Sequence, residues 1–217
     1  GIGGDGVVLI GPSDVADAKM RIFNLDGSEG RMGGNAMRSV AKYVYDNGFV
    51  DTETVTIETA SGIKSVELYI MNGKVSSVCA NMGKAELTNA VTSTNGVDKF
   101  VDYPIILGGE DYNITCVSMG NPHCVVFCKR VDAVDIEKVG PMFENSEYFP
   151  DRVNTEFIRI VNSATIKMRV WERGSGETFA CGSGACAAVV AAVENGFCKK
   201  GEEIIVKLKG GDLAVTY

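Results

Sequence analysis

Ala180-Cys181-Gly182-Ser183-Gly184-Ala185-Cys186 is the stretch whose reading decides the fold, because it has an echo upstream. With Cys181 laid on Gly33, the two segments run in parallel for sixteen positions. Gly33-Gly34-Asn35 stands against Cys181-Gly182-Ser183, and Asp46-Asn47-Gly48 against Glu194-Asn195-Gly196. Both open on small and polar residues, as helix N-termini do, and both close on a glycine, as helix C-termini do. A helix N-terminus carries free N–H groups and a partial positive charge, so it holds carboxylates and lowers the pKa of a thiol. Two such termini are expected, one with a thiol at Cys181 and one with only a glycine at Gly33.

Outward from these segments the chain reads as strands around two helices. From Gly34 onward, Ala36, Val40 and Val44 recur every fourth residue with Met37 and Ala41 beside them, which makes one apolar face. The helix from Ser183 to Glu194 is apolar on nearly every face, so sheet should wrap it on all sides. Strands are expected at Gly6–Ile10, Lys19–Asn24, Thr54–Thr59, Ile63–Met71 and Lys74–Asn81, with Asp26-Gly27, Ser61-Gly62 and Asn72-Gly73 as breaks. The second half repeats the pattern at Asn113–Ser118, Cys124–Lys129, Phe157–Val161, Thr165–Trp171, Glu203–Leu208 and Leu213–Tyr217. A polar stretch, Thr92 to Asp98, is the linker candidate and divides the chain into halves 1–97 and 98–217. The fold class is α+β, two similar halves each wrapping a strand barrel or sheet around a central helix.

The chain has 217 residues, enough to bury a full core, and is 45% hydrophobic and 23% charged, as a soluble globular protein is. Its net charge of −7 argues against nucleic acid or an anionic membrane as a partner, since either favours a basic face. Its longest strongly apolar run, Ala185 to Val193, is too short to span a bilayer. No signal peptide is visible, although the chain opens on Gly1. Seven cysteines at irregular spacing make a poor disulfide framework, so a reducing cytoplasm is expected. With His123 the only histidine and no C-x-x-C pair, a zinc site is not expected.

Each motif has a bland reading beside a functional one. Gly1-Ile2-Gly3-Gly4-Asp5-Gly6 matches G-x-G-x-x-G, but it feeds Val7-Val8-Leu9-Ile10, so a turn before a strand is expected rather than a dinucleotide site. Asn113-Ile114-Thr115 matches a glycosylation acceptor on a strand-like segment and is read as incidental. Cys79, Cys116, Cys124, Cys128, Cys186 and Cys198 are read as small buried hydrophobes. Cys181 differs, because Gly182, Ser183 and Gly184 let a ligand approach the backbone, and a thiol ahead of a helix is where a thiolate is stabilised. Glu172-Arg173 is either a surface ion pair at a strand end or an ammonium acceptor beside a carboxylate clamp. Asn24, Asn121 and Asn154 sit at strand edges and read singly as turn residues.

Taken together, Arg21 to Glu29, Met119-Gly120-Asn121-Pro122-His123-Cys124, Trp171-Glu172-Arg173-Gly174 and Gly176 to Cys186 resemble diaminopimelate epimerase, of the cofactor-independent epimerase and racemase superfamily. The resemblance runs the whole length in the right order, and the last piece is the most specific. It implies two similar α/β halves with the site in the cleft between them. It implies inversion of one α-carbon of LL-diaminopimelate to the meso form, for lysine and cell-wall synthesis, without pyridoxal phosphate or metal. By the same resemblance Cys181 is one of two catalytic cysteines, each at a helix start, and Glu172 holds the reacting amino group. Asn24, Asn121, Asn154 and Arg173 fix the far end of the substrate, and His123 lines the site. The N–H groups of Gly34, Asn35, Gly182 and Ser183 would stabilise the charge that develops on the carboxylate.

The first cysteine does not match. The family has Cys-Gly-Asn where this chain has Gly33-Gly34-Asn35, and Ser39 stands where a second cysteine is usual. An N-terminal strand with a Gly-Asn-Asp motif and a returning C-terminal strand are not among these residues. The expectation is therefore a partial, substituted chain with inversion impaired at Gly33, or a natural non-epimerising relative. The partner is a small-molecule substrate, diaminopimelate, with a homodimer kept open. The alternatives are a non-catalytic amino-acid-binding homologue and an isomerase or racemase of another small acid.

Overall fold

The computed structural model describes residues 4, 6–24, 27–30, 33–87 and 98–217. The chain divides into two compact units, Gly1–Met82 and Gly83–Tyr217. The linker expected at 92–98 lies outside the described residues except for Asp98, as does the G-x-G-x-x-G stretch except for Gly4 and Gly6.

The first unit is a six-stranded sheet with one helix. Its elements are β1 (Gly6–Gly11), β2 (Ala18–Asn24), β3 (Glu29–Gly30), α1 (Gly34–Asp46), β4 (Thr54–Thr59), β5 (Gly62–Met71) and β6 (Lys74–Ala80). The strands run in the order β1-β2-β4-β5-β6, with β3 on β2. The expected period puts Met37, Val40, Ala41 and Val44 of α1 against Met20, Val55, Ile57, Val66, Leu68 and Val75. Asp46 ties the far end of the helix to β6 by accepting from Val75 N–H at 2.9 Å.

The second unit is a nine-stranded sheet with a helix on each face. Its elements are β7 (Glu86–Leu87), β8 (Tyr103–Leu107), β9 (Glu110–Ser118), β10 (Pro122–Phe127), α2 (Ile136–Glu144), β11 (Asn154–Asn162), β12 (Thr165–Glu172), β13 (Gly176–Thr178), α3 (Gly182–Glu194), β14 (Glu203–Leu208) and β15 (Gly211–Thr216). The strand order is β15-β14-β12-β11-β10-β9-β7. Alternate residues of the central strands feed two cores, as the two-residue period of a strand requires. Val117, Val125, Ile158 and Met168 pack with Ala185, Ala188 and Val189 of α3, while Cys116, Cys124, Val126 and Phe157 pack with Phe143 of α2.

The sequence echo belongs to a larger structural repeat. In the first unit β1 and β2 pair antiparallel, β3 folds back on β2, α1 crosses over, β4 lies parallel to β2, and β5 pairs antiparallel with β4. The run β11, β12, β13, α3, β14, β15 repeats each of these pairings. The helix ends match atom for atom. Met37 N donates to Gly33 O and Ala185 N to Cys181 O, each at 2.9 Å. At the other ends Asn47 Nδ2 donates to Tyr43 O and Asn195 Nδ2 to Ala191 O, each at 2.8 Å. Gly48 and Gly196 follow at φ 75° and 78°, the left-handed conformation that favours glycine.

The structure differs from the expectations in several places. Helix α2 is not foreseen, because Gly140 and Pro141 interrupt its apolar pattern. Pro104 conceals β8 in the same way. Cys79, expected as a buried hydrophobe, is exposed on β6, the last strand in the order of its sheet.

Helix α2 positions the turn that follows Glu172. Glu144 is buried and accepts from Trp171 Nε1 at 2.6 Å and Gly174 N at 2.8 Å, and it pairs with Arg152. Gly140 lets the indole lie flat on the helix, since a Cβ there would stand 2.3 Å from Trp171 Cδ2. Gly140→Ala is therefore expected to cost about 1–3 kcal/mol by overpacking. Urea unfolding should show a lower midpoint at unchanged slope; an unchanged midpoint would refute the contact.

Candidate functional site

In the second unit the ends of β10, β11 and β12 converge with the start of α3. Cys181 is the N-cap of α3, with extended φ −129° and ψ 112°, and its Sγ accepts from Gly184 N at 3.4 Å. Ser183 Oγ lies 3.6 Å from the sulfur and receives Asn121 Nδ2 at 3.3 Å. His123, one residue into β10, is fully buried; its Nε2 lies 3.1 Å from Asn121 Oδ1 and its Nδ1 lies 2.7 Å from Glu156 Oε1. Asn154 opens β11, donates to Pro122 O and accepts from Arg173 N, each at 2.9 Å. Glu172 is partly buried and accepts from Thr178 Oγ1, while the exposed Arg173 donates from Nη1 to Asp151 O at 2.9 Å. Neither is engaged as the surface ion pair of the bland reading.

Seven of the expected site residues thus share one corner of the second unit: Asn121, His123, Asn154, Glu172, Cys181, Gly182 and Ser183. Arg173 faces outward from its edge, and His123 is sealed behind Asn121 with no surface of its own. In the first unit Gly33 is the N-cap of α1 at φ −140° and ψ 107°, almost the backbone of Cys181, and no side chain caps that helix. Asn35 accepts from Arg38 at 2.5 Å in the first turn. Asn24 ends β2 and donates to Ser28 Oγ at 3.0 Å, the local bond of a turn residue.

The residue that sequence reasoning missed is Glu156. It is fully buried, and only its Oε1 has a hydrogen-bond partner. A signal was available: a carboxylate stands in Val153-Asn154-Thr155-Glu156-Phe157-Ile158, where a central strand is expected to be apolar.

One electrostatic expectation is overturned. The helix start was expected to lower the Cys181 thiol pKa, and instead the thiol is pushed well up. Burial is the largest cause, followed by the charges of Glu172 and Glu156; the Gly184 N–H and Ser183 pull it down without prevailing. Glu172 is itself raised, by burial first, with a further contribution from the neighbouring Glu156 charge. Among the described residues no three His, Cys, Asp or Glu side chains converge as a metal set, and no helix is long and apolar enough to cross a membrane.

The diaminopimelate epimerase profile matches residues 1–88 and 115–217. A diaminopimelate epimerase of Desulfovibrio desulfuricans is 50% identical over 224 residues, covering 100% of this chain and 77% of that one. One from Methanococcus maripaludis is 51% identical over 221 residues, covering 100% of this chain and 78% of that one. The chain belongs to the diaminopimelate epimerase family. The fold is shared more widely: a probable proline racemase from Agrobacterium radiobacter K84 superposes with TM-score 0.74 at 16% identity, over 97% of this chain and 67% of that one. A hydroxyproline epimerase from Agrobacterium vitis gives 0.72 at 15% identity, over 98% and 66%. Within the family, the corner at Cys181 is the part of this chain that carries acid and base groups on a helix start.

A raised thiol is mostly un-ionised near neutrality, and alkylation needs the thiolate. Iodoacetamide should therefore label Cys181 slowly at mildly alkaline pH, with the exposed Cys79 as internal comparison. Glu172→Gln removes one raising charge, so it should speed labelling at Cys181 and leave Cys79 unchanged. Peptide mapping by mass spectrometry checks this; slower labelling in the variant would contradict the assignment.

Proposed function

We propose that this chain is a diaminopimelate epimerase-type isomerase in which Cys181 moves the proton at the α-carbon. The observation that carries the reading is the thiol held at the start of α3, with Glu172 close enough to raise it. An amino-acid α-proton is weakly acidic, so the carbanion charge that spreads onto the carboxylate needs fixed donors. The N–H groups at Gly182 and Ser183 are free of intrahelical partners by position and suit that task. In this reading Glu172 receives the substrate ammonium, and Asn121, Asn154 and Arg173 hold its far end.

The electrostatics give the order of events. Before substrate arrives, burial and two neighbouring carboxylates keep Cys181 as a thiol. An ammonium beside Glu172 offsets its charge, which eases loss of the thiol proton to solvent. The thiolate can then take the α-proton, and the thiol can return it. One thiol does this on one face of the carbon only, so inversion needs a second group, and residue 33 is the matching position. The cytoplasm, where thiols stay reduced, is the compartment that suits this chemistry. Gly33 also favours a second reading, a binder that kept the site and lost the reaction.

In deuterium oxide, Cys181 alone should exchange the α-proton of one diaminopimelate isomer, and the rate should climb with pH because the base form of a raised thiol grows with pH. Cys181→Ala should abolish it. Gly33→Cys should raise inversion by about 10²–10⁴-fold, the scale of one positioned acid–base group. The backbone there accepts any L-residue, and the added Cβ meets the flexible tip of Ile22 at 2.7 Å and Ala36 Cβ at an ordinary 3.6 Å. Proton NMR with each isomer reads both effects. Thermal stabilisation by diaminopimelate with no exchange would establish the binder instead.

A further inference from the structure

The corner at Cys181 contains one group that the reaction as derived does not use. Glu156 is wholly buried, and burying a carboxylate with one oxygen unpartnered costs stability. Its other oxygen has a single partner, the only histidine in the chain. Room for it is made by Gly184, where a Cβ would stand 2.6 Å from Glu156 Oε1. Glu156 and His123 lie on the strand face that turns toward α3, since Val125 and Ile158 of the same face pack there.

From Glu156 a continuous line of polar contacts leads to the sulfur: Glu156 Oε1 to His123 Nδ1, His123 Nε2 to Asn121 Oδ1, Asn121 Nδ2 to Ser183 Oγ, and Ser183 Oγ beside Cys181 Sγ. The amide of Asn121 donates to Ser183, so its Oδ1 faces the ring at Nε2, and the other ring nitrogen faces the carboxylate. Reversing the imidazole would break the bonds at both ends. The line joins β11, β10 and α3, so it sets the orientation of Asn121 and Ser183 from behind.

We propose that Glu156 is a positioning residue of this isomerase, which through His123 and Asn121 fixes Ser183 and the Cys181 thiol in their working geometry. The proposal rests on Cys181 being the reacting group.

Because His123 is the sole histidine, its ring signals in nitrogen-edited NMR need no assignment among several. The intact chain should show a hydrogen-bonded Nδ1 proton far downfield, and its absence overturns the proposal without any variant. In Glu156→Gln that signal should be lost or move upfield. Exchange at saturating diaminopimelate should fall by about ten- to hundredfold with little change in KM, as misplacement of a catalytic group does. Glu156→Asp keeps the carboxylate and should restore part of both, and it replaces the Gln variant if that chain does not fold. Exchange by Glu156→Gln equal to that of the unsubstituted chain overturns the proposal. Exchange that survives Cys181→Ala defeats the functional reading instead. In a chain that shows no exchange, the downfield Nδ1 signal decides: its presence in the intact chain and its loss in Glu156→Gln support the tie, and its absence from the intact chain refutes it.

Discussion

A close approach at Gly184 governs the second unit. No side chain fits there, because the carboxylate of Glu156 occupies the space beneath the first turn of α3. That vacancy brings a strand in the middle of the sheet to the tip of the buried helix. It lets a charged group sit beside the sulfur and lets the only histidine be held from behind. The glycines in Cys181-Gly182-Ser183-Gly184 therefore have separate reasons. Gly184 admits a neighbour from the protein side, while Gly182, at the partly exposed start of the helix, leaves the backbone open to a ligand.

The structural repeat shows how much of this arrangement is scaffold and how much is chemistry. Strand pairings, first helical hydrogen bonds, asparagine C-caps and left-handed glycines recur in both units. The surroundings of the helices do not. Helix α1 covers one side of its sheet and shows polar residues to solvent, whereas α3 is buried on nearly every face between strands. At the N-caps the backbone is alike and only the side chain differs, thiol against hydrogen. Glycine at residue 33 is thus not demanded by its dihedral angles, and a side chain there has the tip of Ile22 as its nearest neighbour.

Much of the fold was legible in the sequence because its signals are local. Periodicity marked both helices, Asn72-Gly73 marked a hairpin with Asn72 at φ 53°, and Thr54–Thr59 and Glu203–Leu208 fell where alternation placed them. Helix α2 was not legible, because its Gly140 exists for the Trp171 ring, a contact made far along the chain. At the site, the residues whose local context is unusual, Cys181 and Glu172, could be singled out. Glu156 stood out only as a carboxylate in an apolar run, and its partners come from strand pairing: β10 and β11 run parallel, and register sets Glu156 beside the line of His123 and Asn154.

The sign of that shift follows from magnitudes. A helix N-terminus favours a nearby anion by about 0.3–1 kcal/mol, and by up to about 2 kcal/mol when partly buried. Withdrawing a thiolate from water costs more than this in a dry corner, and each carboxylate at short range adds repulsion that low effective dielectric strengthens. The helix tip loses the contest in the free protein. In the proposed reaction it is not idle, because its donors act on the charge that appears on the substrate rather than on the resting sulfur. A thiol held un-ionised until a cation neutralises its neighbours is protected from stray electrophiles and oxidants, whose reactions also need the thiolate. In the proposed reaction, burial and the same two carboxylates make activation of the sulfur depend on an ammonium-bearing ligand, which would make specificity for an amino acid and control of the thiol one electrostatic arrangement.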